Sequence, residues 1–369
     1  MPDTHQQSAP IEMGRNHPPH VPGVFDPAFR RALEEALAIE SPTTMVGAHR
    51  WMGTQRDREA GAVFAARRLG AVPATGRVVV TNGTQSALMM LFAGLVGQGG
   101  TLVAEALSYP VIRIMAARLG ARVVGVAMDD DGLLPDAFDA ACRRDRPGAL
   151  YTMPTLQNPT TAVMSHARRQ AIVAVARAHG VPIIEDDIYS LLPQDAPPPL
   201  AALAPELGWH VQGVAKSIAA GMKIAYVTAP SESEAGRLFW PGVRATWWMA
   251  TPVSAAVMAR LTGNGDADRI IDATRVETAQ RQALVRQVFG NMPHATRADA
   301  LHVWIPLPPD RPRDAVAARC RAAGVSIGTS DQYVMSGDAP EAVRIGIGNT
   351  DDHAALGRAL HVVRDAITA

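Results

Sequence analysis

Cysteine is nearly absent: Cys142 and Cys320 are the only two in 369 residues. They fall far apart on two predicted helices, which excludes a disulfide framework and a clustered metal set. Excess charge is absent too, with Lys+Arg 35 against Asp+Glu 35. That balance argues against nucleic acid or an acidic membrane surface as the main partner. No apolar run approaches the length of a membrane span. The start, Met1-Pro-Asp-Thr-His-Gln-Gln-Ser, lacks the charged and apolar regions of a signal peptide. A cytoplasmic protein is the expectation. Aromatics are few, at 5%, so Tyr109, Tyr189, Trp240 and the pair Trp247-Trp248 stand out.

Hydrophobic residues make up 47% and charged residues 19%, as in globular proteins. A chain this long predicts a large domain plus a smaller one. Residues 1–24, rich in Pro, His and Gly, read as an arm without regular structure. A helix is predicted over 26–39, with Asp26 as its N-cap and Pro27 beside it, and another over 56–69. Strands are then predicted at 78–81, 101–105, 122–126, 149–153, 181–185, 210–214 and 223–228, with helices between most of them. Continuous apolar runs such as Val78-Val79-Val80 fit strands covered on both faces of a largely parallel sheet. Past residue 230 an α+β pattern follows: helices at 254–261, 266–289, 313–323 and 353–367, strands at 301–307 and 343–348. The expected division is an arm and helix over 1–44 belonging with the small domain, a large domain over 45–245, and a C-terminal small domain over 246–369.

In an open parallel sheet, ligands sit outside the carboxyl ends of the strands. Gly83-Thr84-Gln85 opens a helix after the first strand, where free N–H groups and the helix dipole favour a phosphate. Tyr109 follows the second strand and offers a face to a planar ring. Pro154-Thr155-Leu156-Gln157-Asn158-Pro159-Thr160 follows the fourth, its prolines fixing the Asn158 amide. Asp186 follows the fifth, after an apolar run that demands a partner or a function for its carboxylate, with Tyr189 three residues on. Lys216 comes after the sixth, among small residues that leave room for a bulky group on its amine; partial desolvation favours the neutral amine that attacks a carbonyl. Lys223 precedes the seventh.

With these motifs in order, the chain resembles the fold-type I pyridoxal-phosphate enzymes of the class I/II aminotransferase group, close to the aminotransferase-like domain of MocR-type regulators. The resemblance runs from about residue 14 to the C-terminus and rests on Thr81-Asn-Gly-Thr-Gln-Ser-Ala-Leu88, the Asn158 loop, Glu185-Asp-Asp-Ile-Tyr189 and Ala215-Lys-Ser217. It implies a seven-stranded, mostly parallel sheet in an α/β large domain, a smaller α+β domain, and pyridoxal 5′-phosphate as cofactor. Lys216 would hold the cofactor as an imine and shuttle the substrate proton. Asp186 would face the pyridine nitrogen, Asn158 and Tyr189 the phenolate oxygen, and Tyr109 the ring. Gly83, Thr84, Gln85, Ser217 and Lys223 would hold the phosphate. Arg344, in Val343-Arg-Ile-Gly-Ile-Gly348, would grip the substrate α-carboxylate through two parallel hydrogen bonds, beside Asn158.

Three positions depart from the family pattern. Gly213 stands where a phosphate-binding Ser is common. Lys223 stands where Arg is common. No Tyr precedes Gly53-Thr-Gln-Arg-Asp-Arg-Glu59, leaving His49 or Arg50 for the role of the tyrosine that the family lends to the neighbouring subunit's phosphate. The arm Gly14–His20 is expected to cross over the site, and Trp240, Trp247 and Trp248 to serve core or dimer packing. The implied activity is a homodimeric aminotransferase moving an amino group between an α-amino acid and a 2-oxo acid by a ping-pong route. The alternatives are another reaction on the same cofactor (β-lyase, decarboxylase, oxidase) and a cofactor-binding sensor domain without catalysis. Against the sensor, residues 1–44 read as too short and Pro-rich for a helix-turn-helix unit.

Overall fold

A computed structural model describes residues 10–247 and 249–369 of the chain. Seven strands form the main sheet: β1 (Val78–Thr81), β2 (Thr101–Glu105), β3 (Arg122–Val126), β4 (Ala149–Thr152), β5 (Ile183–Asp186), β6 (Gly208–Gly213) and β7 (Ala225–Thr228). Their spatial order is β1-β7-β6-β5-β4-β2-β3. Only β7 runs against the others, pairing antiparallel with both β1 and β6. Every residue of the six strands other than β3 is buried, while β3 is an exposed edge. That is why several of them, such as Val78-Val79-Val80, read as continuous apolar runs rather than as alternation. Because β1, β2, β4, β5 and β6 run the same way, their carboxyl ends, and the residues after them, gather on one edge.

A second, three-stranded antiparallel sheet holds β8 (His302–Pro306), β9 (Gly328–Thr329) and β10 (Ala342–Gly346) in the order β8-β10-β9. Val343 and Ile345 of β10 join Val303, Val285, Leu360 and Val363 in the core beneath the helices Asp266–Phe289 and His353–Thr368. Side chains alternate along a strand, so Arg344 between them faces away from that core. Cys142 and Cys320 are buried and free on their helices. Among the described residues no helix is long and apolar enough to cross a membrane.

Several local expectations are corrected. The arm is not wholly irregular: Ile11–Glu12 pairs in parallel with Val325–Ser326. The first helix spans Pro22–Ile39, preceded by Val21 rather than capped by Asp26, because Pro22 supplies the preset φ and Pro27 is carried inside. Its Ala28, Ala32 and Ala36 are buried, and it packs on Pro252–Gly263, which also packs on Gln55–Leu69. The first contact lies within the expected small domain, and the second joins it to a helix of the expected large domain. β5 starts later than expected, since the Val181 N–H is bonded to Ala176 at the end of the preceding helix, and Asp186 is its last residue. β7 starts at Ala225, because Lys223 adopts a left-handed conformation at φ 51° that ends a short turn. The helix Glu232–Thr246 was not foreseen, its interior Pro241 breaking the helical reading. Residues 1–9 and Trp248 lie outside the described residues.

Candidate active site

Lys216 lies in the tight turn that leaves β6, where the Ile218 N–H returns to the Val214 carbonyl at 2.9 Å. The turn aims the side chain into a cavity of about 630 Å³. The Lys216 ammonium donates to the Asn16 carbonyl of the arm. Burial, helped by Arg344 and Lys223 and opposed by Asp186, lowers its pKa to about 8. A lysine in this state is neutral often enough near neutral pH to attack a carbonyl.

The two adjacent aspartates have different fates. Asp187 is fully buried and met by Arg68 at 3.0 Å and His210 at 2.9 Å. Burial alone would raise its pKa, but Arg68 and then His210 hold it well below the usual carboxylate range. Asp186, at the carboxyl end of β5, lines the cavity. Tyr151 Oη donates to its Oδ2 at 2.9 Å, and Oδ1 is buried with no hydrogen-bond partner among the described residues. Burial raises Asp186 to about 7, against the Tyr151 bond. An ionised Asp186 therefore calls for a cation or a strong donor at Oδ1.

Nearby, Tyr189 accepts a hydrogen bond at Oη from Asn16 Nδ2 at 2.9 Å. Asn158 Oδ1 accepts from Arg344 at 3.2 Å, and the Gly14 carbonyl also accepts from that guanidinium. Arg344 is 3% exposed, lies over the Tyr333 ring at 5.3 Å, and forms no ion pair among the described residues. A buried guanidinium held only by neutral oxygens is an anion site waiting for its anion. Tyr109 stands on another wall, its hydroxyl held by Gln85 Nε2 at 2.9 Å.

At one end, Gly83 begins the helix Gly83–Leu95 at φ 79°, a conformation that glycine adopts freely. The N–H groups of its first turn have no partner within the helix. Thr84, Gln85 and Lys223 line the cavity here. A Cβ on Gly83 would stand 3.7 Å from the Lys223 side chain, so that lysine passes beside the turn. Gly83 and Ser217 are not among the cavity walls, but Ser217 Oγ is buried without a partner among the described residues. The glycine at 213 has a steric cause: a Cβ there would lie 2.6 Å from the Thr84 methyl. Thr84 fills the space that a serine at 213 would use.

Of the two candidates for the missing tyrosine's role, Arg50 is engaged within its own subunit. Its guanidinium is 7% exposed, held by both oxygens of Asp57 and by Glu40. His49 packs between Trp51 and Trp247, away from the cavity. The arm does line the cavity, through Gly14, Arg15, Asn16 and His17. Asn16 and its partner His302, along with Tyr151 and Tyr333, were missed from sequence. Nothing in a proline-rich arm singles out one asparagine, and His302 and Tyr151 read as ordinary strand residues.

A family model described as aminotransferase class I and II matches residues 29–360. The chain belongs to that family, whose members work with pyridoxal 5′-phosphate. YdeF of Bacillus subtilis (strain 168), an HTH-type transcriptional regulator, is 25% identical over 290 residues, 78% of this chain and 62% of that protein. The chain thus spans less than two thirds of that relative's length. A 2-aminoadipate transaminase of Thermus thermophilus is 25% identical over 300 residues, 78% of this chain and 74% of the relative. An archaeal alanine:glyoxylate aminotransferase structure superposes with a TM-score of 0.88 at 19% identity, covering 98% of this chain and 92% of that one. The cavity fits the family's cofactor. It offers an amine for an aldehyde, an unpartnered buried carboxylate oxygen for a ring nitrogen, and free N–H groups with a lysine for a phosphate.

Proposed function

We propose that the chain binds pyridoxal 5′-phosphate and works as an aminotransferase, passing an amino group from an α-amino acid to a 2-oxo acid by a ping-pong route. One observation carries the reading: the Lys216 amine, the open oxygen of Asp186 and the unpaired guanidinium of Arg344 meet in a single cavity. Lys216 would hold the cofactor through its amine, Asp186 would accept from the pyridine nitrogen, and Tyr189 and Asn158 would donate to the phenolate oxygen. Tyr109 would cover the ring. The first-turn N–H groups of Gly83, Thr84 and Gln85, with Ser217 and Lys223, would hold the phosphate. The bound cofactor supplies an electron-withdrawing ring to the carbon that loses its proton. Arg344 would bind the substrate carboxylate and so orient the α-carbon. Lys216 Nζ would also take the substrate α-proton and return it.

A second copy of the chain is the partner in this reading. Trp240 and Trp247 are 41% and 54% exposed and cluster with Trp51 and His49, an apolar group that a subunit interface would cover. A cytoplasmic location belongs to the same reading. The relatives named as HTH-type transcriptional regulators favour one alternative, a cofactor-binding sensor. Adding single amino acids to the purified, cofactor-loaded protein separates the two. An aminotransferase loses its visible imine absorbance and yields one 2-oxo acid per site. Absorbance that persists with every amino acid favours the sensor; ammonia or carbon dioxide in place of the oxo acid points to a lyase or a decarboxylase.

A further inference from the structure

Asn16 joins three parts of the molecule that the sequence keeps far apart. Its Nδ2 lies 2.9 Å from Tyr189 Oη and 2.8 Å from His302 Nδ1. His302, fully buried on β8, sets its other nitrogen 3.1 Å from the Gln157 carbonyl, next to Asn158. Elementary donor counting fixes every hydrogen in this chain. A carbonyl can only accept, so His302 carries its hydrogen on Nε2 and presents a bare Nδ1. The Asn16 amide must then donate to Nδ1 through one hydrogen, which leaves the second for Tyr189 Oη. Reversing the amide would put Oδ1 against Nδ1 and require His302 to hold both hydrogens. Burial, with Arg344 and Lys216 nearby, opposes that charge and lowers the His302 pKa to about 3.

The consequence falls on the tyrosine. Its oxygen is occupied as an acceptor from Asn16, so its own hydrogen must be donated elsewhere. Oη bonds no other described residue, and Tyr189 borders the cavity. We propose that Asn16, locked by His302, is a positioning residue that turns the Tyr189 hydroxyl hydrogen toward the cofactor's phenolate oxygen. This rests on the cofactor reading above and extends it: the arm and β8 tune the cofactor without touching its reacting atoms. A donor at the phenolate oxygen draws off negative charge that stabilises the protonated imine, and so lowers the imine pKa. A tyrosine free to rotate donates less of the time, and the pKa rises.

The test is a pH titration of the imine absorbance in cofactor-loaded protein, for the parent, Asn16→Ala, His302→Leu, Tyr189→Phe and Asn16→Ala with Tyr189→Phe. Asn16→Ala is expected to raise the imine pKa by about half a unit to one unit, a fraction of what a full hydrogen bond to a charged group is worth. His302→Leu should shift it the same way by less, and Tyr189→Phe by more. In the Tyr189→Phe background, Asn16→Ala should add nothing, a null that loss of packing alone would not produce. An unchanged pKa in Asn16→Ala, or an equal rise in the presence and absence of the Tyr189 hydroxyl, overturns the proposal. If the parent shows no imine absorbance at all, the cofactor reading itself falls and this proposal with it.

Discussion

Tyr151 donates its hydroxyl hydrogen to Asp186 Oδ2 at 2.9 Å, and Oδ1 of the same carboxylate is buried with no partner among the described residues. The bond fixes the plane of the carboxylate, and in the proposed reading the open oxygen would accept from a ring nitrogen. Asp186→Asn keeps the shape and removes the charge that would keep that nitrogen protonated. By analogy with removing one preorganised electrostatic partner, kcat should fall by about 10²–10³-fold. Steady-state kinetics checks this, and the variant should still form the Lys216 imine.

Arg344 predicts a loss of a different kind. Its guanidinium is held in plane by the Asn158 side chain and the Gly14 carbonyl, with no ion pair among the described residues. Arg344→Lys retains the charge and loses the parallel pair of hydrogen bonds. We expect kcat/KM for amino acids to drop by roughly 10²-fold, with cofactor affinity unchanged. A loss confined to cofactor affinity would remove Arg344 from the substrate site.

Gly213→Ser restores the residue common in the family and should nonetheless be harmful. Its Cβ would meet the Thr84 methyl at 2.6 Å, an overpacking that costs about 1–3 kcal/mol. Thermal unfolding should register the loss, and Thr84→Ala in the same protein should recover most of it. Independent, additive effects of the two changes would contradict the contact.

The pH dependence of cofactor uptake follows from Lys216. Its pKa is lowered to about 8, so the attacking neutral amine grows in as pH rises through 8, well below where an exposed lysine would deprotonate. Stopped-flow mixing of cofactor-free protein with pyridoxal 5′-phosphate should show a rate rising from pH 7 and levelling above about 9. A rate still climbing beyond pH 10 would mean that burial does not perturb the amine.

Much of the fold was legible because a buried parallel sheet writes itself as apolar runs, and because most of the functional residues follow such a run. Lys216, Asp186, Tyr189, Asn158, Tyr109, Thr84 and Gln85 were readable for that reason, Lys223 and Arg344 through the family resemblance, and all nine line one cavity. What stayed hidden depends on contacts between distant segments. Asn16 is 286 positions from His302, and no local pattern announces the pairing. Proline obscured the start of the helix Pro22–Ile39 and the whole of Glu232–Thr246, where tertiary packing outweighs the cost of a proline inside. Gly213 read as a departure from the family until Thr84 was seen to fill its space.

The central claim is that Lys216 carries the cofactor. Borohydride reduction of the protein incubated with pyridoxal 5′-phosphate converts an imine to a stable amine on whichever lysine bears it. Peptide mapping by mass spectrometry should find one phosphopyridoxyl group per chain, on Lys216, and none in Lys216→Ala. A label on Lys223 instead, or no label at any lysine, would contradict the account.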